Sequence, residues 1–261
     1  MKISVIIPAY NNLPGVLTAL NSLRALASDN SQIEYLVQDD ASPDVEYAAL
    51  IPHEIASVQR NPSNVGFAQN CNLAAGRATG DILLFVNQDV YGVPEHSQGW
   101  DVPLRACFED EDHLRVGIVG ARLLFPDGRV QSAGGQFDAA CQPYHPCLGW
   151  SQINHPAVDT ARDMPWVTGA VMSVRRWCWD ALGGFDTVYQ GGYFEDVDLC
   201  CKAREKHIRV FYEPAVTFIH SVGSTGGNPR FMTNAATFKQ RWVDTKKVNS
   251  DVPVIMERFW V

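Results

Sequence analysis

The chain opens on alternating blocks of apolar runs and amphipathic stretches. Residues 3–8 (ISVIIP) form a short β-branched run, which predicts a buried strand. Leu13, Val16, Leu17, Leu20, Leu23 and Leu26 recur at helical spacing, predicting a helix over 13–27. Further strands are predicted at 33–38, more weakly at 55–60, and at 82–86. An Ala-rich helix is predicted over 66–78, with Asn64 as its cap. Strands alternating with helices imply βαβ units and a parallel sheet.

After about residue 113 the rhythm changes. Strands are predicted at 116–125 and 130–132, joined at the turn Pro126-Asp127-Gly128. Residues 134–163 are rich in Gly, Pro, His and Asn and read as a loop or lid. A strand at 167–174, helices at 176–182 and 194–206, strands at 208–212 and 216–219, a mobile Gly/Ser stretch at 221–228 and a final helix at 231–247 complete the pattern. No repeat, low-complexity tract or interdomain linker interrupts it, so the expectation is one domain over 1–261.

Composition narrows the class. In 261 residues, 46% are hydrophobic and 10% aromatic, too many for a disordered chain. No apolar run approaches the ~18–20 residues of a spanning helix. The start MKISVIIPAY is broken by Pro8 and makes a poor signal peptide. A net charge of −8 argues against a nucleic-acid partner. Seven cysteines without a CxxC pair argue against structural zinc and for a reduced, cytoplasmic setting.

The candidate chemistry sits at strand ends. Ligands of open parallel sheets bind outside the carboxyl ends of the strands. Here those ends carry Pro8-Ala9-Tyr10-Asn11, Asp39-Asp40 and Asn87-Gln88-Asp89. Taken singly each is an ordinary turn; together they describe one converging polar site. Asp39 or Asp40 can accept from a base N–H or a ribose hydroxyl. Asp89, just past a buried strand, suits a divalent cation held against phosphate oxygens. Glu195-Asp196-Val197-Asp198 places three carboxylates at a helix start, as helix caps or as a proton acceptor. His220, ending a strand, is either a structural hydrogen-bonding group or a transition-metal ligand. There is no GxGxxG after the first strand and no GxxxxGK[ST], which disfavours dinucleotide and P-loop readings.

The ordered set SVIIPAYNN, QDDASPD, NPSNVGFAQNCNLAAGRATGDILLFVNQD, GARLLFPDGRVQSAG, VTGAVMSVRR and LGGFDTVYQGGYFEDVDLCCKAREKHIRVFYEPAVTFIH resembles the family 2 glycosyltransferases of the GT-A fold. It is most similar to their rhamnosyltransferase-like branch, and the likeness spans about residues 3–225. The resemblance implies an α/β fold with a Rossmann-like, mostly parallel central sheet flanked by helices and a smaller mixed acceptor-side region. It implies a donor half over about 1–112, an acceptor and catalytic half over about 113–225, and a C-terminal helix and tail over about 226–261.

By the same resemblance, Pro8, Ala9, Tyr10, Asn11, Asp39, Asp40, Asn64, Gly66, Asn70, Asn87 and Gln88 line the donor. Asn87 stands where the family's motif has its first Asp. Asp89 and His220 hold Mn2+ or Mg2+. Gly169 and Ala170 lie between donor sugar and acceptor, with Trp166 on that side. Asp196 is the catalytic base beside Glu195. Trp177 and Trp179 are candidate sugar-stacking rings, though core packing suits them better. Tyr144 and His145 are candidate acceptor contacts, and Arg230 is a candidate diphosphate clamp or a surface arginine. The acidic residues, Asp198 included, are expected around one site.

The implied activity is inverting, metal-dependent sugar transfer from a nucleotide-diphosphate sugar to a glycan, lipid-linked or protein acceptor. The setting is cytoplasmic, at most peripheral to the inner face of a membrane, as a monomer or homodimer. The alternatives are a sugar-nucleotidyltransferase and an inactive nucleotide-sugar-binding module. Residues 8–16 hold no Lys or Arg for a triphosphate, which counts against the former.

Overall fold

The computed structural model describes residues 1–109, 115–221 and 229–248. The first half runs β1 (Ile3–Ala9), α1 (Leu13–Leu26), β2 (Ile33–Asp39), α2 (Tyr47–Leu50), β3 (Ser57–Arg60), α3 (Phe67–Arg77) and β4 (Ile82–Val86). It continues through β5 (Val90–Tyr91), α4 (Pro94–Ser97), α5 (Asp101–Glu109), β6 (Val116–Leu124), β7 (Val130–Ser132), β8 (Gln136–Phe137) and β9 (Pro143–Tyr144). Then follow α6 (Pro156–Asp159), β10 (Arg162–Asp163), β11 (Val171–Arg175), α7 (Arg176–Leu182), α8 (Glu195–Glu205), β12 (Arg209–His220) and α9 (Phe231–Phe238), which passes into a π turn at Lys239–Val243.

One sheet organises most of this, in the order β10-β12-β6-β11-β4-β1-β2-β3, while β8 and β9 form a separate two-stranded sheet. β1 pairs in parallel with both β2 and β4, and β2 with β3. This is the parallel half expected from the βαβ rhythm. β11 then enters antiparallel to both β4 and β6, and β12 returns parallel to β6. The sheet is therefore mixed, and its parallel strands are packed on both faces.

Alternate residues of the strands feed two layers. Ile6, Leu83 and Phe85 pack with Cys71, Ala74, Trp179 and Leu199 of α3, α7 and α8. Val5, Ile7, Leu84 and Val86 pack on the opposite face with Val16, Leu20 and Leu23 of α1 and with Trp100 and Leu104. Trp100 is fully buried and donates its indole N–H to Leu23 O at 3.0 Å.

Three expectations shift. α3 starts at Phe67 with Gly66 as its cap (φ 84°), not Asn64. Asp40 takes the Val65 and Gly66 amides at 2.8 and 2.9 Å, which turns the chain there. The two strands predicted at 208–212 and 216–219 are one, β12, whose register with β6 slips between Glu213 and Thr217, around Pro214. A bulge is where a proline can sit in a strand without breaking the ladder. The predicted final helix is α9 plus the π turn. Residues 222–228, anticipated as mobile, lie outside the described residues. Among the described residues no helix is long and apolar enough to cross a membrane.

Candidate active site

A cavity of 1120 Å³ opens at the carboxyl ends of β1 and β4, where the start of α8 and the end of β12 meet them. It brings together Pro8, Ala9, Tyr10, Asp40, Asn64, Gly66, Asn70, Asn87, Gln88, Asp89, Trp166, Gly169, Ala170, Glu195, Asp196 and His220. Of the positions predicted to line the donor, Asn11 and Asp39 lie outside it.

The nucleotide-side wall is braced from behind. Gln88 accepts from Tyr10 N at 2.9 Å and donates to Tyr10 O at 3.1 Å, tying the end of β4 to the end of β1. Tyr10 itself is 42% exposed. Asn11 adopts φ 52° and its amide donates to Asp44 Oδ2 at 3.1 Å. Asp39 is buried, and its carboxylate accepts from Ser42 N, Ser42 Oγ and Arg60 Nη1 at 2.9, 2.6 and 2.8 Å. Asn70 is buried beneath the wall, donating to Gln38 O and accepting from Asn61. Asn87 Oδ1 is buried without a hydrogen-bond partner among the described residues. An acceptor left this way is costly until a donor reaches it.

At the centre, His220 Nε2 lies 3.2 Å from Asp89 Oδ1, each side chain only 12% exposed. The tautomer follows from Gln131. Its Nε2 donates to the backbone oxygen of His220 at 3.1 Å, so its Oε1 is the atom 2.6 Å from His220 Nδ1. A carbonyl oxygen only accepts, so Nδ1 carries the hydrogen. In the neutral ring the Nε2 lone pair therefore faces a carboxylate, and a cation or a proton between them relieves the repulsion. Gln131, in β7, was not among the predicted site residues, although the PDGRVQSAG segment contains it.

The opposite wall begins at α8. Glu195 is buried, with Oε2 unpartnered among the described residues. Burial, then the charge of Asp196, pushes its pKa well above the carboxylate range. Asp196 is half-buried, and burial raises its pKa too. The amides of Gly169 (2.7 Å to Oδ2) and Val197 (2.8 Å to Oδ1) work against that rise. A Cβ on Gly169 would sit 3.2 Å from Asp196 Cβ, so glycine lets the loop before β11 lie against this carboxylate.

The chain reaches α8 through an unusual turn. Residues 191–194 all have positive φ (73°, 89°, 72° and 78°), although two of them are Tyr193 and Phe194. Left-handed backbone costs roughly 1–2 kcal/mol for each such non-glycine residue. Surrounding contacts must hold it.

Several expectations are corrected. Asp198 does not join the site: it is fully buried on the other side of α8, accepting from Tyr189, Arg241 and Trp242 at 3.1, 2.9 and 2.8 Å. Residues two apart on a helix diverge, which separates Asp196 from Asp198. Trp179 is core, tilted against Phe85 with ring centroids 4.7 Å apart, and Trp177 is outside the cavity lining, in a separate hollow with Asp81 and Arg175. Trp166 does line the cavity. Its ring is covered by Gly135, where a Cβ would come within 2.1 Å of it, and by His145 at 4.8 Å. His145 lines the cavity, Tyr144 does not, and Arg230 is exposed at the cavity's edge.

A cavity at the carboxyl ends of the parallel strands is where open α/β sheets bind their ligands. Residues 4–99 match the model of glycosyl transferase family 2. The chain is 30% identical over 229 residues to the O-antigen biosynthesis protein RfbC of Myxococcus xanthus, covering 84% of this chain and 17% of that one. It is 29% identical over 126 residues to an N-acetylglucosaminyl-diphospho-decaprenol L-rhamnosyltransferase of Mycobacterium tuberculosis, covering 44% and 41% respectively. The solved structure of GalNAc-T7 with UDP, GalNAc and Mn2+ superposes with a TM-score of 0.73 at 17% identity, covering 95% of this chain and 49% of that one. The chain carries a family 2 glycosyltransferase domain of the GT-A fold, as its motifs led one to expect. It spans less than half the length of each of these three proteins.

Proposed function

We propose that this domain is an inverting glycosyltransferase that moves a sugar from a nucleotide-diphosphate sugar to an acceptor hydroxyl with the help of a divalent cation. The observation that carries the reading is one cavity lined by both the Asp89–His220 pair and Asp196. A metal fits the pair: a carboxylate oxygen and an imidazole lone pair face each other, and Gln131 fixes the ring. Among the described residues no set of three or more His, Cys, Asp or Glu could hold a metal alone. Two protein ligands completed by diphosphate oxygens match how Mg2+ and Mn2+ sit in phosphate-transfer sites. Bound there, the cation supplies charge neutralisation for the leaving diphosphate.

The chain's own groups do the rest. Tyr10 and the ends of β1 and β4 receive the nucleotide. Asn87 Oδ1 awaits a hydroxyl donor from sugar or ribose. Asp196 takes the proton from the acceptor hydroxyl as its oxygen attacks the anomeric carbon from the face opposite the diphosphate, inverting that centre. Burial, then the charge of Asp196, raises the pKa of Glu195, which disfavours a second negative charge beside Asp196.

Donor binding falls to the half before about residue 112 and acceptor binding to the half after it, within one domain. The Asn87-Gln88-Asp89 motif and the rhamnosyltransferase relative favour a deoxyhexose on deoxythymidine diphosphate. The acceptor is a glycan, a lipid-linked glycan or a protein, reached in the cytoplasm or at the inner membrane face by a monomer or homodimer. Mn2+ and Mg2+ both suit the ligand pair.

A thermal-shift screen of nucleoside diphosphates and their sugars, with and without Mn2+, tests the reading. A ligand at about 100-fold its Kd should add about 2.7 kcal/mol of stability. Slow metal-dependent release of nucleoside diphosphate, abolished in Asp89→Ala, separates an enzyme from an inactive binding module. Absence of both binding and release under every nucleotide tried sinks the proposal.

A further inference from the structure

We infer that Asn234 is a positioning residue: through it, α9 holds the left-handed turn at 191–194 and so sets where Asp196 stands for transfer. The inference rests on the glycosyltransferase reading only for its kinetic arm.

The turn needs an external brace. Its four residues have positive φ, and Phe194 is the cap of α8, immediately before Glu195 and Asp196. Tyr193 and Phe194 adopt a backbone that L side chains rarely adopt, so contacts from outside the turn must offset its cost. The brace is α9. Asn234 is 1% exposed, deep enough that its amide must be satisfied by protein. Its Nδ2 donates to Gln190 O, Gly192 O and Tyr193 O at 3.1, 2.9 and 3.2 Å, and its Oδ1 accepts from Gln190 N at 3.3 Å. One side chain thus gathers three carbonyls and one amide of the chain leading into α8.

Rings close the rest. Phe231 meets Tyr193 edge-on at 5.4 Å, and Phe194 lies between Phe231 and Phe238 at 5.5 and 5.4 Å. One further turn along, Arg241 bonds both Asp186 and Asp198 at 2.7 and 2.9 Å. The segment from Phe231 to Trp242 therefore grips the loop before the turn, the turn itself and the helix after it. Its first residue, Phe231, also lines the cavity.

A brace that only stabilised the fold would lower melting temperature without separating the kinetic constants. A positioning brace predicts a split. Asn234→Ala should speed amide exchange at 190–194 by about ten-fold while leaving β1 protected. It should lower kcat for transfer by about ten-fold or more with the donor KM within about two-fold, because the donor wall on β1 and β4 is untouched. Gly192→Ala is the second variant: a Cβ there meets no described atom within 4 Å, and at φ 89° an L side chain is disfavoured, so the substitution strains the turn's backbone. It should show the same exchange and the same split, and it decides the matter if Asn234→Ala does not fold. Unchanged exchange at 190–194 in a folded variant overturns the inference, as does a proportionate loss of donor binding and kcat. If the wild type transfers no sugar, the exchange arm still reads the brace, and the failure belongs to the functional reading alone.

Discussion

His220 turns Nε2 toward Asp89 across 3.2 Å because Gln131 holds the other face of the ring at 2.6 Å. The pair comes from distant parts of the chain: Asp89 follows β4, and His220 ends β12, where it pairs with Val90 of β5. The sheet's mixed topology brings them together. A ligand oriented by a hydrogen bond to its far nitrogen binds metal more tightly than a free one, and removing such a support typically costs 10–100-fold in affinity. Gln131→Leu should therefore weaken Mn2+ binding about 10-fold or more in the presence of nucleoside diphosphate. Electron paramagnetic resonance of the free ion measures this without any turnover. Gln131→Glu, which still accepts from Nδ1, should retain most of the affinity.

Asp196 must be ionised to accept a proton, and burial raises its pKa above the ordinary 3.8. The sign is fixed: kcat/KM should rise with pH through an acidic limb that lies above the ordinary Asp value. Glu195 and Asp196 interact, so the limb belongs to the pair. Asp196→Asn should lower kcat by about 10²–10⁴-fold with donor affinity nearly unchanged. A pH profile of wild type beside a donor titration of the variant checks both halves.

Glu195 gives the opposite signature in stability. Its folded pKa is raised well above 4.5 by burial, so the folded state holds the proton more tightly than the unfolded chain. The stability of that protonated form is fully present below about 4.5 and is lost as pH rises through the folded value. Glu195→Gln removes the charge without removing the shape. It should raise Tm at neutral and alkaline pH and flatten the fall of stability with pH above 4.5. An unchanged Tm slope between wild type and variant would contradict a raised Glu195 pKa.

Trp166 is fixed by its neighbours, with its indole N–H on Gln136 O at 2.9 Å and Gly135 against its ring. Gly135→Ala places a methyl 2.1 Å from that ring, so one of the two must move. Overpacking of this kind costs about 1–3 kcal/mol. Urea denaturation should show it as a lower midpoint with an unchanged slope.

Local patterning was enough for β1 and β4, which are unbroken apolar runs, and for α1, which is amphipathic, and it caught β3 only weakly. It was blind to two kinds of structure. Short elements such as α2, α4 and β5 are set by tertiary contacts, as when Ser97 Oγ donates to Thr217 O at 2.6 Å. The direction of β11 and β12 is set by long-range pairing that no local pattern encodes. The site divides the same way. Strand-end polarity and motif order placed Asp89, Asp196, Gly169 and His220 in one cavity. Gln131 and Asn234 escaped because each bonds backbone carbonyls of residues 41 to 89 positions away, and amides carry no periodic signal. Asp39 and Asp40 looked alike in sequence; burial against Arg60 and Ser42 turned one away from the cavity lining.

The acidic run at α8 divides its labour by helix geometry, and this can be tested within one experiment. Asp196 faces the cavity and Asp198 faces Tyr189, Lys202, Arg241 and Trp242, with Lys202 Nζ 2.7 Å from Asp198 Oδ2. Removing one partner of a buried ion pair leaves the others uncompensated and costs about 3–5 kcal/mol. Asp198→Ala should therefore destabilise the protein by about that amount, and the donor affinity of the fraction that stays folded should change little. Asp196→Ala should do the reverse, leaving Tm nearly unchanged while abolishing transfer. Chemical denaturation and initial-rate measurements on both variants read the two effects side by side. Equal loss of stability from the two substitutions would show that position on the helix does not divide catalysis from support here.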